Sequence, residues 1–482
     1  MALPSTSPLA GDSATSNATD LHRGLGVTAI VFMVVAMAAP LAVVAANVPI
    51  VISVSETPSA PLYFAAATVI LGLFSVGFTR MSRHVRNAGA FYAYIQAGLG
   101  RIVGTGSATI ALVSYVLLFV GVNTYVGVAT SNVLQRYGVP ATPWWLWSLV
   151  SLAVVGYLGY RDIELSSRVL GVVLILETVT IVALDIGILF RGGADGLSMQ
   201  SWSVAELGAG TPSLGLMFAF FSFIGFEATA VFRNEARDPD KTIPRATYVA
   251  VISIGVLYSV SAWLVVSAVG TSQALDAATA DPENMVLNLA TSYVAPVLHD
   301  VMQVLLATSF FACALTIHNV ISRYAFTLGG KRVLPHRLGR VHNTHGSPST
   351  ASIVVSVVTG GILLAVMVAR LDPIAEIYTW FSGMATFGLV ILMTMTSAAV
   401  IVYFRRTPSS ATMWHALIAP ALAFVGLGSV LILVLVNLPM LVGTETAATV
   451  VRIGMGASFV AGVVIALLLK AKSPETYRAL SD

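Results

Sequence analysis

The sequence predicts an all-α, multi-pass membrane protein of twelve transmembrane helices, two of them broken at mid-span. Composition is the first observation: 57% of the 482 residues are hydrophobic and 10% are charged. A soluble chain of this size needs far more charge to cover its surface. The second is the recurrence of apolar windows of about 20 residues, enough to cross ~30 Å of hydrocarbon. They fall at about residues 27–52, 61–80, 103–132, 144–160, 167–190, 212–232, 246–270, 297–327, 350–369, 374–404, 413–437 and 449–469. The third is that two windows are interrupted. Ala36-Met37-Ala38-Ala39-Pro40-Leu41 breaks the first, and Phe220-Phe221-Ser222-Phe223-Ile224-Gly225-Phe226-Glu227 breaks the sixth. One broken helix in each half of a chain points to a small-molecule site at the membrane midplane.

Residues 1–22 are rich in Ser, Thr, Ala and Pro and carry no basic run ahead of a short apolar core, so a disordered tail is expected rather than a signal peptide. The first window is too long for a signal core and reads as a retained span. With the N-terminus in the cytoplasm, only Arg136, Arg191, Arg370 and Arg452 of the 25 Lys and Arg fall on the far side. That bias places both termini in the cytoplasm. The far-side loops instead carry Glu56, Asp195, Glu206, Asp276, Asp281 and Glu283. Asp281-Pro282-Glu283 suits the start of a short helix at Met285–Leu289, lying over the outer mouth. The third, eighth and tenth windows are long enough to tilt or project beyond the bilayer. No separate soluble domain is visible, and the net charge of +3 reads as topology rather than as a nucleic-acid footprint.

Cys313 is the only cysteine, which excludes an intrachain disulfide and a thiolate metal cluster. His336, His342 and His345 share a loop without a second ligand pair, so a solvated basic loop is expected there and no metal or cofactor.

Within the first window, Pro40 removes a backbone donor and clashes with the preceding turn. As the first residue of a second half-helix it would leave the N–H groups of Leu41 and Ala42 free, at a positive dipole end suited to a carboxylate. Small Ala38 and Ala39 permit close approach. In the sixth window Gly225 permits unwinding, and carbonyls freed around Ser222, Phe223 and Ile224 would attract an ammonium group. Phe220 and Phe226 are candidates for an aromatic gate. Glu227 is either a proton-titrating group or an acceptor tied to neighbouring backbone N–H groups, since a carboxylate at such depth is costly without a partner.

The run from Ser222 through Glu235-Ala236-Arg237-Asp238-Pro239 to Ile243-Pro244-Arg245 resembles the helix-6 signature of the amino acid–polyamine–organocation superfamily. Asn87-Ala88-Gly89-Ala90-Phe91-Tyr92-Ala93-Tyr94 with Leu99-Gly100 is similar to that superfamily's approach to helix 3. Asn319, Ser322-Arg323, Leu334-Pro335 and Ser347-Pro348 are similar to its helix 8 to helix 9 connection. The superfamily's Gly-Ser-Gly-Ile-Phe in helix 1 is replaced here by Ala38-Ala39-Pro40-Leu41. The resemblance implies a five-plus-five inverted repeat across residues 23–404, two added helices over 405–470 and a cytoplasmic tail over 471–482. It also implies import or exchange of amino acids or amines by alternating access, with substrate held at Ala38–Leu41 and Ser222–Gly225.

Several members have a lysine at the position of Glu177, close to where sodium sits in sodium-coupled relatives. A glutamate there could carry the coupling proton, bind a cation or make a structural hydrogen bond. Asp185, two turns on, is expected to snorkel or cap near the outer end. Arg233, Glu235, Arg237, Asp238, Arg323 and the Arg80/Arg83/Arg86 run read mainly as topological anchors, with an inner ion-pair gate as the alternative. Thr308 and Ser309 could supply sodium ligands, although hydroxyls in a span usually bond their own backbone. The spacing Gly100-xxx-Gly104 can bring helices together. A proton-driven amino acid importer in the cytoplasmic membrane is the leading expectation. An exchanger or polyamine carrier, or a sodium symporter, is the alternative on the same scaffold. A receptor lacks any need for paired breaks, and no nucleophile–base pair or phosphate loop supports an enzyme. The phenylalanines favour neutral or aromatic substrates over acidic ones.

Overall fold

A computed structural model describes residues 26–85, 90–161, 167–208, 210–227, 229, 236–340, 348–407 and 411–481. The expected N-terminal tail, Arg86-Asn87-Ala88-Gly89, Arg233 to Glu235, His342 and His345 lie outside the described residues. The chain is all-helical, and no strand occurs among the described residues. Among the described residues, ten helices are long and apolar enough to cross a bilayer. The fourth and sixth expected windows instead give shorter apolar helices, Trp144–Tyr160 and Pro212–Phe221. The sixth is short for a physical reason: the helix stops at the predicted break and continues as turns through Glu227.

The first span is composite. α1 (Val27–Met37) ends before Ala39, which adopts φ 46° and ψ 69° in the left-handed region. Pro40 then opens α2 (Pro40–Ala42) as its first residue, where a missing N–H costs nothing. A wide π turn over Val43–Asn47 leads into α3 (Val48–Ser55). α4 (Ala60–Ser82) follows, then α5 (Ala90–Leu99) and the 36-residue α6 (Arg101–Arg136). Gly100, at φ +96°, separates these last two. A Cβ on Gly104 would lie 2.5 Å from that of Gln96, so the Gly100–Gly104 spacing folds α5 back against the start of α6.

α7 (Trp144–Tyr160), α8 (Ser167–Arg191) and α9 (Pro212–Phe221) follow. Next come α10 (Pro239–Val269), two short helices α11 (Ala274–Ala280) and α12 (Met285–Tyr293), and the 35-residue α13 (Pro296–Gly330). The expected single loop helix is thus two, joined by a turn in which Asp281 accepts from the backbone and side-chain N–H of Asn284. α14 (Ser349–Val368) is followed by a π segment, Pro373–Tyr378, whose start Asp372 caps by accepting from Ile374 and Ala375. α15 (Thr379–Arg406), α16 (Ala419–Val442) and α17 (Glu445–Lys472) end the membrane portion.

α10 packs along α4, while α6 is surrounded by α13, α15 and α17. α17 is mostly exposed along its apolar flank, as Val450, Ile453, Val460 and Leu467 show, which suits lipid contact at the periphery. Past α17 the chain turns back through Pro474–Arg478 so that Leu480 is buried against Tyr92, Leu328 and Val333. The Leu480 carbonyl accepts from Gln96 Nε2 of α5 at 2.8 Å and from Lys331 Nζ beyond α13 at 2.9 Å.

Near the basic end, Lys241 and Asp238 lie 3.4 Å apart on the surface, and Arg83 donates to the Asp240 carbonyl at 2.6 Å. Exposed pairs of this kind contribute little, about 0–1 kcal/mol. Asp185 departs from the snorkelling or capping expected of it. It faces α10 rather than lipid, is 7% exposed, and accepts from the Ser261 hydroxyl at 2.7 Å.

Candidate functional site

Both breaks border one central cavity of about 120 Å³. At ~10–15 Å³ per water that is room for roughly ten water-sized groups, the scale of a small amino acid or diamine rather than a peptide. Ala38, Ala39 and Ala42 contribute from the first break, and Ser222, Ile224, Gly225 and Glu227 from the second. α6 adds Tyr115, Leu118 and Val122, and α13 adds Phe310, Cys313 and Tyr324. Tyr378 reaches in from the π segment before α15. No Lys, Arg or His lines the cavity among the described residues. The wall is therefore mainly apolar and aromatic, with one carboxylate and with polar atoms from Asn47, Ser222 and Thr316.

Pro40, Leu41 and Phe223 are buried beside the cavity but do not line it. The Leu41 N–H, expected to await a substrate carboxylate, points away toward α8 and donates to Glu177 Oε2 at 3.4 Å. Ala42 is the donor-bearing neighbour that faces the cavity. Glu177 is 3% exposed, has Ser309 as a second hydrogen-bond partner, and lies within electrostatic reach of Tyr258 and Cys313. Tyr258 in turn donates to the Ala38 carbonyl at 3.3 Å. A carboxylate, a tyrosine and a serine thus back the first break from three helices. Thr308 instead bonds its own backbone, donating to Leu305 at 2.9 Å.

The second break is a run of tight turns rather than open backbone. The Phe223 carbonyl accepts from Phe226 at 3.2 Å, and Gly225, at φ +112°, donates its N–H to Glu227 Oε2 at 2.8 Å. Only glycine holds such a backbone without strain. Glu227 Oε1 accepts from the Tyr115 hydroxyl at 2.9 Å, so the carboxylate ties the turn to α6 while bordering the cavity.

Phe220 and Phe226 are fully buried and lie outside the lining. Phe226 packs among Phe74 and Phe78, with centroids 5.9 and 6.1 Å away. Phe221 is the phenylalanine of this run that faces the cavity, and it meets Tyr378 edge-on at 6.0 Å. Tyr125 stacks on Phe310 at 4.1 Å and meets Tyr378 at 4.9 Å, closing the cavity with aromatic rings at that end. Beyond them Glu283 accepts from Asn132 Nδ2 at 3.3 Å. Burial raises the Glu283 carboxyl above its usual range, the Asn132 bond opposing this.

Sequence reading missed Asn47, Tyr115, Tyr258 and Tyr378. For Asn47 a signal was present: an amide inside a hydrocarbon window needs partners. The tyrosines carry none, because their roles come from helices distant in sequence.

The family described as Amino acid permease matches residues 25–464. An uncharacterized transporter of Mycobacterium tuberculosis is 29% identical over 232 residues, 42% of this chain and 46% of that protein. The chain therefore spans less than half the length of that relative. An uncharacterized transporter of Mycobacterium bovis is 25% identical over 345 residues, 70% of this chain and 71% of its own. The low-affinity putrescine importer PlaP of Escherichia coli is 20% identical over 353 residues, 71% of this chain and 73% of its own. With a match across nearly its whole length and a cavity enclosed by apolar helices, the chain belongs to the amino acid permease family of the amino acid–polyamine–organocation superfamily.

Proposed function

We propose that the protein is a secondary active importer of amino acids or related amines, working by alternating access and driven by protons. In this reading twelve helices cross the cytoplasmic membrane with both termini inside. Helices 1–5 repeat inverted as 6–10 over residues 23–404, and two more helices over 405–470 stand outside them. The carrying observation is that two helix breaks, far apart in sequence, border the same cavity of about 120 Å³. Interrupted helices turn half-helix dipole ends toward a cavity, and a small zwitterion or amine is what such dipole ends recognise. Glu177 is the coupling group in this reading, because it is buried and bonded to the first break rather than to the cavity.

Glu227 and the lack of basic lining residues among those described favour a cationic amine as a second reading. The naming of one relative as a putrescine importer agrees with it. Uptake of radiolabelled L-alanine, L-phenylalanine, L-glutamate and putrescine into proteoliposomes, with and without an inward proton or sodium gradient, tests both. Accumulation of alanine or phenylalanine driven by protons supports the first, and of putrescine alone the second. Failure of all four under either gradient would sink the importer reading.

Cys313 supplies an independent test, being the sole thiol and part of the lining. Alkylation of detergent-purified protein by a small maleimide, followed by mass spectrometry, is expected to slow in the presence of substrate. At ten times Kd the free fraction, and with it the rate, falls roughly tenfold by mass action. A non-substrate of similar size leaves the rate unchanged.

A further inference from the structure

Asn47 ends the wide π turn after the first break and is fully buried, yet it lines the cavity. Its Nδ2 donates to the Phe218 carbonyl at 2.9 Å and to Ser222 Oγ at 2.5 Å. The Ser222 hydroxyl spends its own hydrogen on the same Phe218 carbonyl at 3.1 Å, so its lone pair faces the amide. This fixes which way the amide points, since a flipped Asn47 would set its oxygen against a carbonyl oxygen. Both amide hydrogens are then committed to the second break. Oδ1 remains, with no hydrogen-bond partner among the described residues.

A buried acceptor left unmatched is destabilising unless something supplies a donor. π turns of this kind recur at functional sites, where the extra residue redirects a side chain. Resting on the transporter reading above, we infer that Asn47 is a specificity-determining residue whose Oδ1 accepts a hydrogen bond from an N–H or O–H on the bound substrate, selecting molecules that carry a donor at that end. The same residue ties the two broken helices together, so the substrate's donor completes a bridge that already spans both.

Competition binding to the purified transporter tests this with two pairs of near-isosteric probes, putrescine against n-pentylamine and L-threonine against L-valine. In the unaltered protein the donor-bearing member of at least one pair is expected to bind about tenfold more tightly than its partner, the effect of one hydrogen bond. In Asn47→Leu that ratio falls to about one, whatever common loss the severed tie to the second break adds to both members. Asn47→Asp keeps the acceptor but sets its second oxygen against the Phe218 carbonyl, so affinity falls for both members of a pair while the ratio persists. Equal binding within both pairs by the unaltered protein overturns the inference without any variant. Asn47→Leu weakening both members by one common factor also overturns it, showing a structural tie alone. If none of the four probes binds, the transporter reading falls as well, a result distinct from equal binding.

Discussion

Replacing Glu177 by glutamine is expected to abolish the stimulation of uptake by an inward proton gradient, lowering gradient-driven accumulation by at least about tenfold. Downhill exchange of substrate should survive. The reason lies in what the side chain holds. Glu177 accepts from the Leu41 N–H, at the head of the half-helix that follows the first break, and has Ser309 on α13 as its other partner. Hydrogen bonds to an ionised acceptor contribute ~1.5–3 kcal/mol against ~1 for a neutral one. Gaining a proton therefore loosens the hold on Leu41 by an amount large enough to shift a two-state balance about tenfold. Glutamine mimics the neutral state permanently, so the hold no longer responds to pH. Proteoliposome uptake at fixed internal pH and stepped external pH is the measurement. A variant whose uptake still rises with external acidity would remove Glu177 from the coupling.

The second large effect is expected at Gly225. Its φ of +112° lies where side chains other than glycine's are rarely tolerated, at a cost of ~1–3 kcal/mol. Gly225→Ala should either force the turn to rearrange, breaking the 2.8 Å bond to Glu227, or retain it under strain. Either way the wall of the cavity moves, and uptake is expected to fall roughly ten- to hundredfold, using the same energy range. Ala39 gives the opposite control. It already sits in the left-handed region at a cost of ~1–2 kcal/mol, which Ala39→Gly relieves while adding ~0.5–1 kcal/mol of backbone entropy. Uptake should stay within about twofold. Substrate binding to both variants, alongside their thermal unfolding in detergent, separates a damaged site from a damaged fold. Full activity in Gly225→Ala would mean that the turn plays no part in transport.

Much of this architecture was legible because hydrocarbon imposes a narrow grammar on sequence. Long apolar windows, a proline at residue 40 and a glycine beside a carboxylate at 225–227 each have few structural solutions in a bilayer. What remained hidden was orientation around each helix axis. Both Leu41 and Ala42 follow the proline, yet one faces α8 and the other the cavity, and nothing in their order says which. Four phenylalanines crowd one stretch, and only Phe221 lines the cavity while Phe226 joins Phe74 and Phe78. Asp185 was placed by distance along the helix, but its partner Ser261 is 76 residues away. The π turn at Val43–Asn47 shifts the register of everything after it, which no regular helical spacing anticipates.

Leu480 shows how a single peptide oxygen can act as a pin. Gln96 and Lys331, from segments 235 positions apart, both grip it at under 3 Å. Neither can drift more than about an ångström from that oxygen and keep its grip, given the steep distance dependence of such bonds. Any rocking that spreads these two segments must first unfasten one of them, so the last turn of the chain sets a small toll on that motion.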